Sequence, residues 1–204
     1  MIFARTIGSQ RIVAECAASL EPAIGDIFKT IADLARSGKP LHAGFSIRFG
    51  WSLLTMAEEP DGLRICEPSF SGHPLRELNP TLDITINVLV SQVEVLHRVG
   101  EHGEDVFFDQ QILLAPGALT VPEIFALRGE RTSEADSGWS VAPVPAPGQG
   151  IDTSNLTALP IYRLVGSHSG LLSILTLPQG YLVRLHRGKV VEIDSPDGRT
   201  RWRA

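Results

Sequence analysis

The side chains in this chain best suited to chemistry fall into small groups, and each can be compared with what its reaction would need. His97 and His102, with Glu101, Glu104, Asp105 and Asp109 nearby, supply nitrogen and oxygen donors within one short stretch. Histidines that share a metal from one helix face prefer a four-residue spacing, and Gly100 and Gly103 interrupt any helix here. The stretch therefore reads as a solvated acidic connection. Gly166-Ser167-His168-Ser169-Gly170 resembles the turn that presents a nucleophilic serine, but the central position, where the serine must stand, is His168. A serine next to a histidine in sequence is not thereby activated by it, so this segment reads as a turn. Cys66 beside Glu67 could supply a thiolate, although a cysteine inside an apolar strand is more often packed and inert. Cys16 and Cys66 form no CxxC pair and read as buried thiols of a reducing compartment. His42, His73 and His186 stand singly, and the chain contains neither GxxxxGK[ST] nor a GxGxxG after a strand. No catalytic residue, metal or cofactor is expected.

Charge narrows the partners. The formal net charge is -5, whereas a nucleic-acid binder needs a surplus of Lys and Arg. Arg199, Arg201 and Arg203 around Trp202 make a basic end, read as a packed or frayed tail. Mild acidity suits plain solubility, and it also suits a basic partner, which complementary fields would steer into place. Met1-Ile2-Phe3-Ala4-Arg5-Thr6 lacks the pattern of a secretory signal, and no run approaches the ~18 apolar residues of a membrane span. A cytoplasmic chain is expected, with no membrane and no nucleic-acid partner.

Asp136-Ser137-Gly138-Trp139 is the segment with the clearest local physics. Asp136 can accept hydrogen bonds from backbone amides just beyond it, and Gly138 can adopt a conformation closed to other residues. Trp139 can then carry a large aromatic face into a core. Such a turn would also present Asp136 to a partner, together with Glu130 and Glu134.

The elements that must position these residues follow from periodicity. Pro22 to Ser37 reads as an amphipathic helix through Ile24, Ile27, Phe28, Ile31 and Leu34, stopped by Gly38. Phe45–Met56 and Leu63–Cys66 read as two antiparallel strands about Asp61-Gly62. Asn79-Pro80 offers a cap and first turn for a second helix along Leu82, Ile86, Leu89, Val93 and Leu96, although its β-branched residues would also suit a strand. In the second half, 107–114, 123–127, 139–144, 160–165 and 181–185 with 190–193 are strand candidates. The last two flank a turn at His186-Arg187-Gly188-Lys189. Leu171–Leu177 is helix or strand, and Pro145 to Gly150 reads as a surface loop. The expected architecture is α+β: an N-terminal α+β subdomain over 1–105 with helices and a β-hairpin, then a mainly antiparallel, β-rich domain over 106–204. Core candidates are Ile27, Phe28, Ile31, Leu34, Trp51, Leu89, Val93, Phe125 and Trp139.

Glu123-Ile124-Phe125-Ala126-Leu127-Arg128, a polar gap, and then Asp136-Ser137-Gly138-Trp139 together resemble immunity protein family thirty-three of bacterial polymorphic toxin systems. Asp152 to Asn155, Ile161–Leu164 and Leu171–Leu175 look like that pattern's later parts, so the resemblance covers roughly Gln110 to Ile193. Arg128, Asp136, Ser137, Gly138 and Trp139 would be its structural signature. One departure stands out: Ser140-Val141-Ala142-Pro143-Val144 replaces the acidic turn that follows the tetrapeptide in many members. The resemblance implies a non-enzymatic inhibitor that binds a cognate toxin, encoded by an adjacent gene, and occludes its active site. Glu104, Asp105, Glu130, Glu134 and Asp136 are then the candidate toxin-binding residues. The alternative is a small-molecule or peptide-binding adaptor on the same scaffold, which would need a concave apolar pocket with convergent polar groups.

Overall fold

Residues 1–145 and 155–204 are described by the computed structural model. Asp152, and the Pro/Gly loop beyond Pro145, lie outside the described residues. The class is α+β, and the chain divides into two compact units, Met1–Asn87 and Val88–Ala204. The division falls inside the second helix, and the Glu101–Asp105 connection belongs wholly to the second unit.

In the first unit, β1 (Ile2–Ile7) and β2 (Gln10–Glu15) form a hairpin turned at Gly8. Helix α1 (Glu21–Arg36) follows, with a proline in its first turn. It buries Ile24, Ile27, Phe28 and Ile31 in one cluster with Ile12, Leu54, Met56 and Ile65 of the sheet. Four buried side chains of this size each contribute about 1.5–3 kcal/mol, enough to hold an amphipathic helix against a sheet. The sheet continues with β3 (Ser46–Phe49), β4 (Ser52–Glu59), β5 (Gly62–Pro68) and β6 (Leu78–Asn79). Its order is β1-β2-β5-β4-β3, with β6 on β5; β2 and β5 run parallel, and the other pairs antiparallel. The first half thus carries a six-stranded sheet of its own rather than one hairpin. The run Phe45–Met56 is two strands, because Gly50 takes φ +56° and folds β4 back on β3, with Phe49 opposite Ser52.

Helix α2 (Asp83–Val99) starts later than Asn79-Pro80 suggests. Asn79 pairs with Glu67 in β6, and the helix is capped from β5 instead. Glu67 is fully buried. Its Oε2 accepts from the Thr85 amide at 2.6 Å, and its Oε1 from the Ile84 amide at 3.3 Å and Asn79 Nδ2 at 3.2 Å. A carboxylate at the first amides of a helix satisfies orphan donors and favours the helix dipole. Burial pushes the Glu67 carboxyl above its ordinary value, and the hydrogen bonds from Thr85, Ile84 and Asn79 only partly offset that. Trp51 closes the same corner. Its Nε1 donates to the Thr85 carbonyl at 3.2 Å, and its ring stacks on Phe70 at 5.0 Å.

The second unit holds the rest of α2 and a seven-stranded sheet. Its strands are β7 (Gln111–Leu114), β8 (Glu123–Arg128), β9 (Asp136–Pro143), β10 (Thr157–Pro160), β11 (Leu182–His186), β12 (Lys189–Asp194) and β13 (Thr200–Arg203). Their order is β10-β7-β9-β8-β11-β12-β13, antiparallel except for the β7–β9 pair. A short helix, α3 (Ser169–Ile174), precedes β11. The strand expected at 160–165 ends at Pro160 and gives way to a tight turn over Ile161–Leu164. Phe107 to Gln110 lies ahead of β7 rather than in it, and the basic tail is an ordered edge strand. The buried face of α2 is rotated from the expected stripe. Val93 is 57% exposed, whereas Gln92 is buried, its Nε2 donating to the Leu172 carbonyl at 3.0 Å. Of the remaining core candidates, Leu34 and Leu89 are only half-buried, and Ile27, Phe28, Ile31, Trp51, Phe125 and Trp139 are buried.

Candidate functional site

Asp136-Ser137-Gly138-Trp139 forms the first turn of β9, and it is a bulge. Gln111 of β7 faces Asp136, and Leu113 faces Ser140, so β9 spends extra residues between the two pairings. Each of the four residues has a separate task. Asp136 Oδ2 accepts from the amide and hydroxyl of Thr132 at 3.0 and 2.8 Å, and Oδ1 accepts from the Gly138 amide at 2.7 Å. Ser137 is fully buried, and its Oγ accepts from the Trp139 amide at 3.2 Å. Gly138 has φ +78°, and a Cβ there would lie 2.7 Å from the Gly129 carbonyl oxygen, so only glycine fits without strain. Trp139 is fully buried and donates from Nε1 to the Leu175 carbonyl at 2.9 Å.

Arg128, opposite Trp139 across the β8–β9 ladder, is 1% exposed. Its Nη2 lies 3.4 Å from Glu104, and its guanidinium carbon is 5.7 Å from the centre of the Trp139 ring. Its Nε and Nη1 have no acceptor among the described residues. Burial first, then the Arg131 charge, push the Arg128 guanidinium below its ordinary value, and Glu104 pulls it back. The aromatic face compensates in part for the missing acceptors.

The five acidic candidates sort into two kinds. Glu104 is bound to Arg128 and to the Gln179 amide, and Asp136 is occupied by its loop, so both hold structure. Asp105, Glu130 and Glu134 are exposed. They lie on two segments tied together by Arg131 donating to the Asp105 carbonyl and Gln110 Nε2 donating to the Glu134 carbonyl at 2.7 Å. Gln110 and Arg131 carry no sequence signal for this role, because their partners are remote in the chain. Thr132 was legible in principle, as a hydroxyl four residues before an aspartate in a polar loop.

Burial raises the Asp136 carboxyl, but the Thr132 and Gly138 hydrogen bonds and the Arg128 charge outweigh it and hold the group below its ordinary value. A depressed carboxyl stabilises the fold above its ordinary value near 3.8, and that stability is lost as pH falls through the lower folded value. Asp136→Ala is expected to cost about 1–3 kcal/mol at neutral pH. It is also expected to flatten the acid limb of stability against pH, both measured by urea denaturation across that range. An acid limb unchanged by the substitution would contradict this role.

A second feature of the same unit is a cavity of about 330 Å³ between the Ala118–Pro122 segment, Ser167, His168, Leu171, and the β11–β12 turn. Ser167 Oγ and His168 Nδ1 are 2.8 Å apart, so the two side chains are joined within a segment whose sequence reads as a turn. His97 and His102 are exposed, and among the described residues no three His, Cys, Asp or Glu side chains gather as a metal site. Both cysteines are buried and free. Burial pushes each thiol up, away from the reactive thiolate. Among the described residues no helix is long and apolar enough to cross a membrane. Comparison with known proteins gives no match to any family model, any curated protein or any solved structure.

Proposed function

We propose that the chain is a non-catalytic immunity protein, which binds a cognate bacterial toxin encoded by a neighbouring gene and occludes its active site. The observation that carries this reading is the trio of exposed carboxylates, Asp105, Glu130 and Glu134, on two segments cross-tied beside the Asp136–Trp139 bulge. A pre-ordered acidic edge is suited to a basic cleft, such as that of a toxin acting on nucleic acid, because complementary charge speeds encounter and fixes register. The resemblance in Arg128 and Asp136–Trp139 supports the same reading. In this scheme the bulge and Arg128 hold the edge in shape, and the carboxylates meet the partner.

The test is growth of cells expressing the neighbouring gene's product, with and without this chain; failure to restore growth overturns the reading. Glu130→Lys with Glu134→Lys is expected to slow association about tenfold or more at low salt. The unfolding free energy of the isolated chain should stay within about 1 kcal/mol of the unaltered protein's, because both side chains are exposed. A second reading, a small-ligand-binding adaptor, is favoured by the cavity at Ser167 and His168.

A further inference from the structure

The cavity lies wholly within the second unit, and the toxin-binding reading makes no use of it. Its volume, about 330 Å³, lies within the range of about 300–1,000 Å³ typical of small-molecule sites. The floor is apolar and buried, formed by Ile124 of β8, Leu171 of α3 and Leu185 of β11. The polar groups stand around it. Ser167 Oγ lies 2.8 Å from His168 Nδ1, and His168 Nε2 lies 3.3 Å from the Leu119 carbonyl oxygen. An imidazole protonated at Nε2 meets both contacts, accepting from Ser167 and donating to Leu119. Those two bonds hold the ring in place at the cavity wall.

Arg187 is the one residue carrying a full charge among the described residues that line the cavity. It is exposed, and its guanidinium has no carboxylate, carbonyl or ring partner among the described residues. Its backbone, by contrast, is fixed. Its φ is +49°, and its amide donates to the Pro122 carbonyl at 2.6 Å, which fastens the β11–β12 turn to the opposite wall. The wall on the α3 side is fixed as well. A Cβ on Gly170 would lie 2.1 Å from the Gly188 carbonyl oxygen, so the helix and the turn meet backbone to backbone. A site whose walls are held this way does not have to order itself around a ligand, which lowers the cost of binding.

We propose that this cavity binds a small amphiphilic carboxylate. Its apolar tail would lie on Ile124, Leu171 and Leu185, with its carboxylate paired to Arg187. The apolar floor selects a tail, and an unpaired guanidinium selects an anion, for which a planar fork of donors is well suited. A cationic head group would face the Arg187 charge, and a neutral one would leave it without a partner.

The experiment uses the full chain, labelled with nitrogen-15 and titrated with hexanoate, hexanol and hexylamine, three probes that share one tail. Hexanoate is expected to give saturable shifts at the amides of Thr120, Val121, His168, Leu171 and Gly188. Hexanol is expected to bind about tenfold more weakly, and hexylamine to give no saturable shift. Arg187→Asn removes the cation while keeping a residue that tolerates positive φ. It should bring hexanoate down to the level of hexanol and leave hexanol binding as it was. The proposal is overturned if hexanoate shows no saturation, if it binds the unaltered chain no better than hexanol, or if Arg187→Asn keeps full hexanoate affinity. No toxin enters these measurements, so they stand or fall apart from the toxin-binding reading.

Discussion

Trp139→Ala is expected to destabilise the second unit by about 3–5 kcal/mol, the range for emptying a buried aromatic site. The indole is fully buried, donates to the Leu175 carbonyl, and lies against the Arg128 guanidinium. Its removal would leave a cavity, an unpaired carbonyl, and a buried cation without the aromatic face beside it. The last effect sets this position apart from an ordinary core residue, because Arg128 already has two donors lacking acceptors. Trp139→Phe separates the contributions. It keeps most of the packing and the ring face, loses the Nε1 hydrogen bond, and is expected to cost about 1–3 kcal/mol. Hydrogen exchange at the β8 and β9 amides, compared across the three proteins, reads the effect where it arises. Unaltered protection in Trp139→Ala would show that the ring does not anchor the bulge.

Glu67→Ala is expected to cost the first unit about 3–5 kcal/mol, although it removes no apolar packing of comparable size. The substitution orphans the Thr85 and Ile84 amides and the Asn79 side-chain amide, and an unsatisfied buried donor costs about 1–3 kcal/mol. Glu67→Gln should be milder, because one oxygen remains to accept from the helix amides. The two variants differ again in pH dependence. The folded-state carboxyl is raised above the ordinary glutamate value near 4.5, so the folded chain holds its proton at a pH where the unfolded chain has lost it. Between those two values stability therefore falls as pH rises. Glu67→Gln removes that slope, which denaturant titrations across the window would detect. A slope that survives in Glu67→Gln would assign it to another group.

Much of the local structure is legible in the residues themselves. Helix α1 follows from its apolar stripe with Pro22 and Gly38 at its ends, and the turn between β11 and β12 follows from Arg187-Gly188 between two apolar runs. The task of Asp136 and Gly138 is equally local, since their partners lie within a few residues or across the adjacent strand. What the sequence hides is set by remote partners. Asn79 looks like a helix cap, but Glu67 draws it into a strand pair and caps the helix from β5. Val93 fits the apolar stripe of α2, but there the buried face runs through Gln92, whose side chain donates to the Leu172 carbonyl, and Val93 is left exposed while Leu82 and Ile86 stay buried. Of the acidic candidates, residue type alone could not separate Glu104, which is bound to Arg128, from Glu130, which is free of the core.

The place of β9 in its sheet has a consequence for how the chain is made. β7 and β8 follow one another in sequence but never pair, because β9, synthesised after both, lies between them. Until Asp136–Pro143 leaves the ribosome, two strands with exposed edges wait side by side, and the nearest hairpin open to them is a wrong one. The native alternative needs a parallel pairing of β7 and β9 across a connection that contains β8, and such non-local pairings form slowly. The glycine-dependent bulge then acts as a key in the order of assembly. By setting the offset between β7 and β9, it gives the late strand one register in which to enter.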